Sequence, residues 1–299
     1  MKLLHSLPPY NFAGIEDASF DSAEVVVLPV PYDGTASYGA GAKDGPHAIV
    51  SASRFLELFD YEAGVNASKQ GIFTLDELEP CRGNVVETCS RVESAVTQIL
   101  ESGKFPLTLG GDHSVAIGCI RAAARKHSDL SVLALDAHLD CWDEYEGSGH
   151  SHASVNARVQ DLTPSVAGLG VRESIVGYRS AGENELAFCK EHGINIFSSR
   201  QLAEDFDGSL AAALEHLDEN VYVTLDLDVL DPSIMPAVGT PEPDGLLYND
   251  VVRVLERIFS SKKVVGMDVC ELAPLQGNRA PDFTAAKLAY KALCLRAKA

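Results

Sequence analysis

A three-layer α/β fold, with helices on both faces of a mostly parallel central sheet, is what this 299-residue sequence predicts. Two observations carry the prediction. Short β-rich apolar runs alternate with longer amphipathic stretches along the whole chain, and each run is too short to stand as a helix. Strand-helix alternation of this kind implies βαβ units, which give a parallel sheet covered on both sides.

In chain order, strands are expected over 24–30, 105–109, 131–135, 165–169, 194–197, 221–225 and 263–267. Helices are expected between and after them, over 46–59, 85–102, 115–127, 181–192, 207–217, 249–259 and 282–295. No stretch rich in Pro, Gly or Ser, no low-complexity tract and no repeat divides the chain, so a single domain over 1–299 is expected. Long irregular stretches over 33–45, 140–152 and 231–248 each follow an apolar run. In open α/β sheets the ligand site lies beyond the carboxyl ends of the strands, so these loops are where chemistry is expected.

Composition narrows the function. There are 43 acidic and 24 basic residues, for a net charge of −19. Such a field repels nucleic acid and anionic membranes and attracts metal ions and cationic ligands, though a solubility charge would look the same. The seven cysteines are odd in number and lack CxxC spacing, which points to free thiols in a reducing compartment. The opening residues reach two prolines within nine positions, too soon for the apolar core of a signal peptide, and no apolar run matches a membrane span. A cytoplasmic location is the expectation.

Three strand ends are dense in metal-ligating side chains. One reads Gly110-Gly111-Asp112-His113-Ser114, the next Asp136-Ala137-His138-Leu139-Asp140, and a third Asp226-Leu227-Asp228. If the strands run on, alternation places Asp136, His138 and Asp140 on one face, and Asp226 with Asp228 on another. Converging carboxylates repel one another unless cations join them. Four Asp and two His, His113 included, form a mostly hard donor set without thiolate, suited to Mn²⁺ better than to a structural zinc. Asp112 reads as a supporting residue, Asp231 before Pro232 as a turn residue, and His150 as structural. His5, His47, His127, His192 and His216 fall outside the constellation.

With these segments the sequence resembles the ureohydrolases, the arginase and agmatinase family, over nearly its whole length. Pro31-Tyr32-Asp33-Gly34, Gly41 to Pro46, the stretch 226–245 and the segment from Gly266 to Pro274 complete the match. The resemblance implies an arginase/deacetylase-like fold and two manganese ions per subunit, bridged by Asp136, Asp226 and a hydroxide that attacks the guanidino carbon. It implies that one ion also takes His113 and Asp140, and the other His138 and Asp228. It makes Glu271 the partner of the substrate guanidinium, Asp140 the proton relay to the leaving amine, and His152 the histidine beside the scissile group. At His152 the sequence departs from the family pattern, with Ala153 where glycine is usual. The resemblance also implies a homotrimer or homohexamer.

The substrate expectation comes from the loop 141–149, which holds Asp143, Glu144 and Glu146 and no basic residue. Acids at a pocket mouth would repel a carboxylate and favour the terminal ammonium of agmatine, giving putrescine and urea. Arginase, another guanidino-acid hydrolase such as a guanidinobutyrase, a one-zinc deacetylase of the same broad fold, and a metal-binding scaffold without catalysis are the alternatives.

Overall fold

The computed structural model describes residues 7–162 and 171–299. Its strands in chain order are β1 (Val25–Pro29), β2 (Phe59–Asp60), β3 (Val65–Asn66), β4 (Ile72–Thr74) and β5 (Phe105–Leu109). They continue with β6 (Leu130–Leu135), β7 (Arg172–Tyr178), β8 (Asn195–Ser198), β9 (Asn220–Asp226) and β10 (Lys263–Cys270). The helices are α1 (Gly45–Ser53), α2 (Val85–Glu101), α3 (Val115–Lys126), α4 (Val155–Gln160) and α5 (Glu183–His192). After them come α6 (Ser199–Glu204), α7 (Phe206–Glu215), α8 (Tyr248–Ser261) and α9 (Ala280–Lys298).

Eight strands form one parallel sheet in the order β4-β1-β5-β10-β9-β6-β7-β8, and β2 pairs antiparallel with β3 as a separate hairpin. The expected three-layer architecture is present. Its sheet is apolar on both faces, which is why the strands read as continuous runs rather than alternating ones. Along β1, Val25 and Val27 join the core packed by α1, α7, α8 and α9, while Val26 and Leu28 join the core packed by α2 and α3.

The chain passes from β5 to β6 across a gap that β9 and β10 fill later. The carboxyl ends of β5, β10, β9 and β6 thus lie side by side at the centre, where a doubly wound sheet opens a crevice.

Several expected elements differ in the structure. The run 165–169 lies outside the described residues, and the strand after α4 is β7, which the sequence reading did not include. The fully buried Glu173 sits on it and breaks its apolar pattern. β4 has three residues, and α4 and α6 six each, too few to show a period. The helix expected over 46–59 stops at Ser53, whose Oγ donates to Val50 O and accepts from Ala13 N.

Candidate metal centre

The candidate ligands are not carried on continuing strands, so strand alternation does not align them. β6 ends at Leu135, and β9 reaches Asp226 but not Asp228, which lies in a single 3-10 turn. Side chains aim the loops instead. Asp136 Oδ1 accepts the His138 N–H at 2.7 Å, and Asp226 Oδ1 accepts the Asp228 N–H at 2.8 Å. Each aspartate thereby folds its own backbone and keeps Oδ2 uncommitted, the local turn that short acidic side chains favour. Asp228 Oδ1 accepts from Ala137 N at 3.0 Å and ties the two segments together.

His113 arrives from β5 through Gly110 and Gly111. A Cβ on Gly111 would stand 1.8 Å from the carbonyl oxygen of Tyr32, so only glycine allows this approach. His113 is fully buried, and its Nδ1 lies 3.0 Å from Asp140 Oδ2, 3.2 Å from Asp136 Oδ2 and 3.4 Å from Asp226 Oδ2. Its Nε2 sits 2.8 Å from Thr224 Oγ1, which donates to Asp268 Oδ1 at 2.8 Å. A proton on Nε2 completes that chain and leaves the Nδ1 lone pair facing the carboxylates, the arrangement outer partners impose on metal-binding imidazoles.

His138 Nδ1 is 2.9 Å from Asp228 Oδ2, and Asp136 reaches both histidines. Two groups with metal-ligand spacing result: His113 with Asp136 and Asp140, and Asp136 with His138 and Asp228. They share Asp136. Asp140 has φ 47° and Glu271 φ 71°, left-handed values that cost about 1–3 kcal/mol at a non-glycine residue and persist where neighbours enforce them. At Asp140 the enforcing contacts are the N–H groups of Asn156 and Ala157, both donating to its carbonyl from α4.

The electrostatics are those of a site short of positive charge. Burial first, then the charges of Asp228 and Asp136, raise Asp226 well above the usual carboxylate range. Burial and Asp136 push Asp140 up to about 7. Burial works against a charged His113, yet Asp136, Asp140 and Asp226 hold it well above an ordinary histidine. Among the described residues, buried Asp136 Oδ2 has no hydrogen-bond partner. A fully buried carboxylate oxygen without a donor is costly to leave so, and a cation at this point would satisfy it. The donor set therefore fits a pair of hard divalent ions.

Glu271 follows β10 and is 8% exposed. Its N–H donates to Gly111 O, and its Oε1 accepts the His113 N–H at 2.7 Å. Among the described residues, no side-chain hydrogen bond is found at Oε2. Burial, then the charge of Asp112, raises its pKa well above the ordinary value. His152 donates its backbone N–H to Thr35 Oγ1 at 3.0 Å, and its Nε2 is 3.3 Å from Ser37 Oγ. Burial lowers its pKa, so the imidazole is neutral near pH 7. Asp112 is the supporting residue it was read to be: Oδ2 accepts the N–H and the hydroxyl of Thr35, and Oδ1 accepts from Ser114. Ala153, beside His152, donates its N–H to Ser151 Oγ at 3.4 Å.

Asp140, His138, His152, Asp226, Asp228 and Glu271 all line one cavity of about 380 Å³. His113 and Asp136 lie buried beneath it. From the loop 141–149, the lining takes Trp142 and Tyr145 and none of the three acids. Asp143 points outward, 86% exposed, and pairs with Arg158 at 2.5 Å. Glu185 on α5 lines the cavity instead, and its Oε1 and Oε2 accept the N–H groups of Cys141 and Gly182.

The sequence reading missed Glu185, and also Arg179, whose guanidinium donates to carbonyls of Gly177, Asp228, Val229, Leu230, Glu242 and Pro243. Arg179 staples the stretch 228–243 to the end of β7. Both follow the strand that the sequence did not reveal.

The sequence match decides the affiliation. An arginase-family model matches residues 23–295. The chain belongs to the arginase family. Among curated members of this family, N(1)-aminopropylagmatine ureohydrolase of Thermus thermophilus is 39% identical over 283 residues, covering 95% of this chain and 94% of its own. Agmatinase of Pyrococcus horikoshii is 33% identical over 282 residues, covering 92% and 93%. The crystal structure of agmatine ureohydrolase from Thermoplasma volcanium superposes with a TM-score of 0.87 at 32% identity, covering 99% of this chain and 96% of that one. The chain is thus an arginase-family ureohydrolase with the Asp/His clusters of a metal site. Among the described residues, no helix is long and apolar enough to cross a membrane.

Proposed function

We propose that this ureohydrolase cleaves an amine-terminated alkylguanidine, agmatine being the simplest, to urea and the matching amine. One observation carries the choice of substrate. The cavity above the ligand cluster is lined by carboxylates, two histidines, small residues and two aromatic rings, with no Lys or Arg lining it among the described residues. A guanidinium at one end and an ammonium at the other both suit such a wall, while the carboxylate of arginine or guanidinobutyrate meets no cation there.

We assign His113, Asp136, His138, Asp140, Asp226 and Asp228 as the ligands of two Mn²⁺ ions, with Asp136 shared between them. When bound, such an ion pair would supply the Lewis acidity that turns water into a nucleophile near neutral pH. The remaining chemistry belongs to the chain. Glu271, with Oε1 fixed by the His113 N–H, presents Oε2 to the planar guanidinium through a charge-assisted hydrogen bond. Asp140, whose Oδ2 faces the ligand cluster 3.0 Å from His113 Nδ1, is placed to relay a proton to the departing amine. His152, neutral and backed by Ser37 and Ser151, accepts or holds a proton at the rim of the same cavity.

The similarity to N(1)-aminopropylagmatine ureohydrolase favours a second reading, in which the amine end is extended by an aminopropyl group. Trp142 and Tyr145, with ring centroids 6.1 Å apart, would then flank the longer cationic tail. Urea release after Mn²⁺ loading, measured on agmatine, N(1)-aminopropylagmatine, arginine and guanidinobutyrate, tests both readings. One of the two amines should give the highest kcat/KM. Preference for either carboxylate would overturn the proposal.

A further inference from the structure

The thiols of Cys141 and Cys189 play no part in the chemistry above, yet they join two elements that shape it. Their Sγ atoms lie 3.6 Å apart, and the residues are 3% and 1% exposed. Cys141 directly follows Asp140 and sits between two cavity-lining residues, Asp140 and Trp142. Cys189 lies one helical turn beyond Glu185, the acid whose Oε1 accepts the Cys141 N–H at 3.1 Å. The sulfur pair therefore spans the joint between the ligand-bearing loop and α5.

We propose that Cys141 and Cys189 are a modification site, forming a reversible disulfide with hydrogen peroxide that releases metal from the centre. The inference rests on Asp140 being a metal ligand, as assigned above. In the first step one sulfur attacks a peroxide oxygen and the O–O bond breaks, leaving a sulfenic acid and one water. In the second step the other sulfur attacks the sulfenic sulfur, the S–S bond forms, and the hydroxyl leaves as a second water. The two thiols lose two electrons and two protons, which the peroxide takes up.

A disulfide needs its sulfurs about 2.05 Å apart, so the pair must close by about 1.5 Å. α5 is a regular helix ended by Gly193 in the left-handed conformation, and it resists a shift of one residue. The loop is the softer side. Cys141 Sγ gives up its 3.0 Å contact with Leu139 O, and the pull falls on Asp140, already at φ 47°. Asp140 Oδ2 stands 3.0 Å from His113 Nδ1, so its displacement opens the first ligand group.

The test treats Mn²⁺-loaded protein with graded hydrogen peroxide, blocks remaining thiols by alkylation and maps peptides by mass spectrometry. Metal content and urea release are measured on the same samples, before and after dithiothreitol. The cross-linked 141–189 peptide should rise in step with metal loss. Activity should fall about 10- to 100-fold, the scale on which disturbed support of metal ligands acts. Dithiothreitol followed by Mn²⁺ should restore both. Cys189→Ala, or Cys189→Val if the smaller side chain destabilises α5, should keep the starting activity and resist peroxide. Cys81→Ser, at the partly exposed cysteine, should stay sensitive. The proposal fails if the cross-link is missing at doses that oxidise Cys81, if it forms with metal retained, or if the Cys189 variants are inactivated like the parent. Cross-link and metal content remain readable if no guanidine is hydrolysed, so failure of the substrate proposal is seen separately.

Discussion

Replacing Glu173 with Gln should stabilise the protein at alkaline pH and do little at pH 4.5. Glu173 is fully buried on β7, with Oε2 accepting from Gln160 Nε2 at 2.7 Å and Oε1 without a hydrogen-bond partner among the described residues. Burial is the main cause that pushes its pKa up to about 8 from the ordinary 4.5. Between those values the unfolded chain has released the proton and the folded chain has not. The folded state then binds more protons, and stability falls as pH rises, until the penalty is complete above about 8. Each pKa unit corresponds to about 1.4 kcal/mol, so the penalty is on the order of 4–5 kcal/mol. A glutamine keeps an oxygen for Gln160 and carries no charge. Urea denaturation of parent and variant from pH 4.5 to 9, at constant ionic strength, measures the difference. A gap between the two proteins that does not widen with pH would refute the reasoning.

Four further outcomes are expected at the candidate centre. Asp136→Asn should lose both metals, as measured by elemental analysis, because this carboxylate belongs to both ligand groups; full occupancy would remove Asp136 from the shared position. Glu271→Gln should keep the metals and lower kcat/KM about 10- to 150-fold, the worth of one charge-assisted hydrogen bond of about 1.5–3 kcal/mol. Glu185→Gln should narrow the preference for agmatine over arginine by about tenfold, since one lost charge contact near the cavity is worth about 1.4 kcal/mol. Neutralising Asp143, Glu144 and Glu146 together should leave that preference within about twofold, since such exposed charges contribute little; a collapse of selectivity would return these acids to the substrate.

Much of this architecture was legible because parallel strands buried on both faces write themselves as apolar runs. The runs at β1, β5, β6, β9 and β10 were located to within a few residues for that reason. The candidate ligands were legible because they cluster at the ends of those same runs. The sequence did not reveal what brings them together. Hydrogen bonds from Asp136 and Asp226 to their own backbone, and left-handed φ at Asp140, leave no periodic trace. The acids of the loop 141–149 misled in a related way. Composition located negative charge near the site, but the cavity takes Trp142 and Tyr145 from this loop and leaves its three acids exposed. Glu185 and Arg179 stayed hidden because they depend on β7, where a buried glutamate disguises the strand.

The strand order also dictates when during synthesis the cluster of candidate ligands can be completed. β5 and β6 carry the segments with His113 and with Asp136, His138 and Asp140, but in the finished sheet they stand three strand spacings apart, about 14 Å. The strands that fill this interval, β9 and β10, are translated last. A nascent chain ending before residue 220 therefore has a cleft where Asp226, Asp228, Thr224 and Glu271 belong, and His113 lacks the partner that sets its ring. The second ligand group, which needs Asp228, is completed only by the segment that inserts between strands preceding it in the sequence.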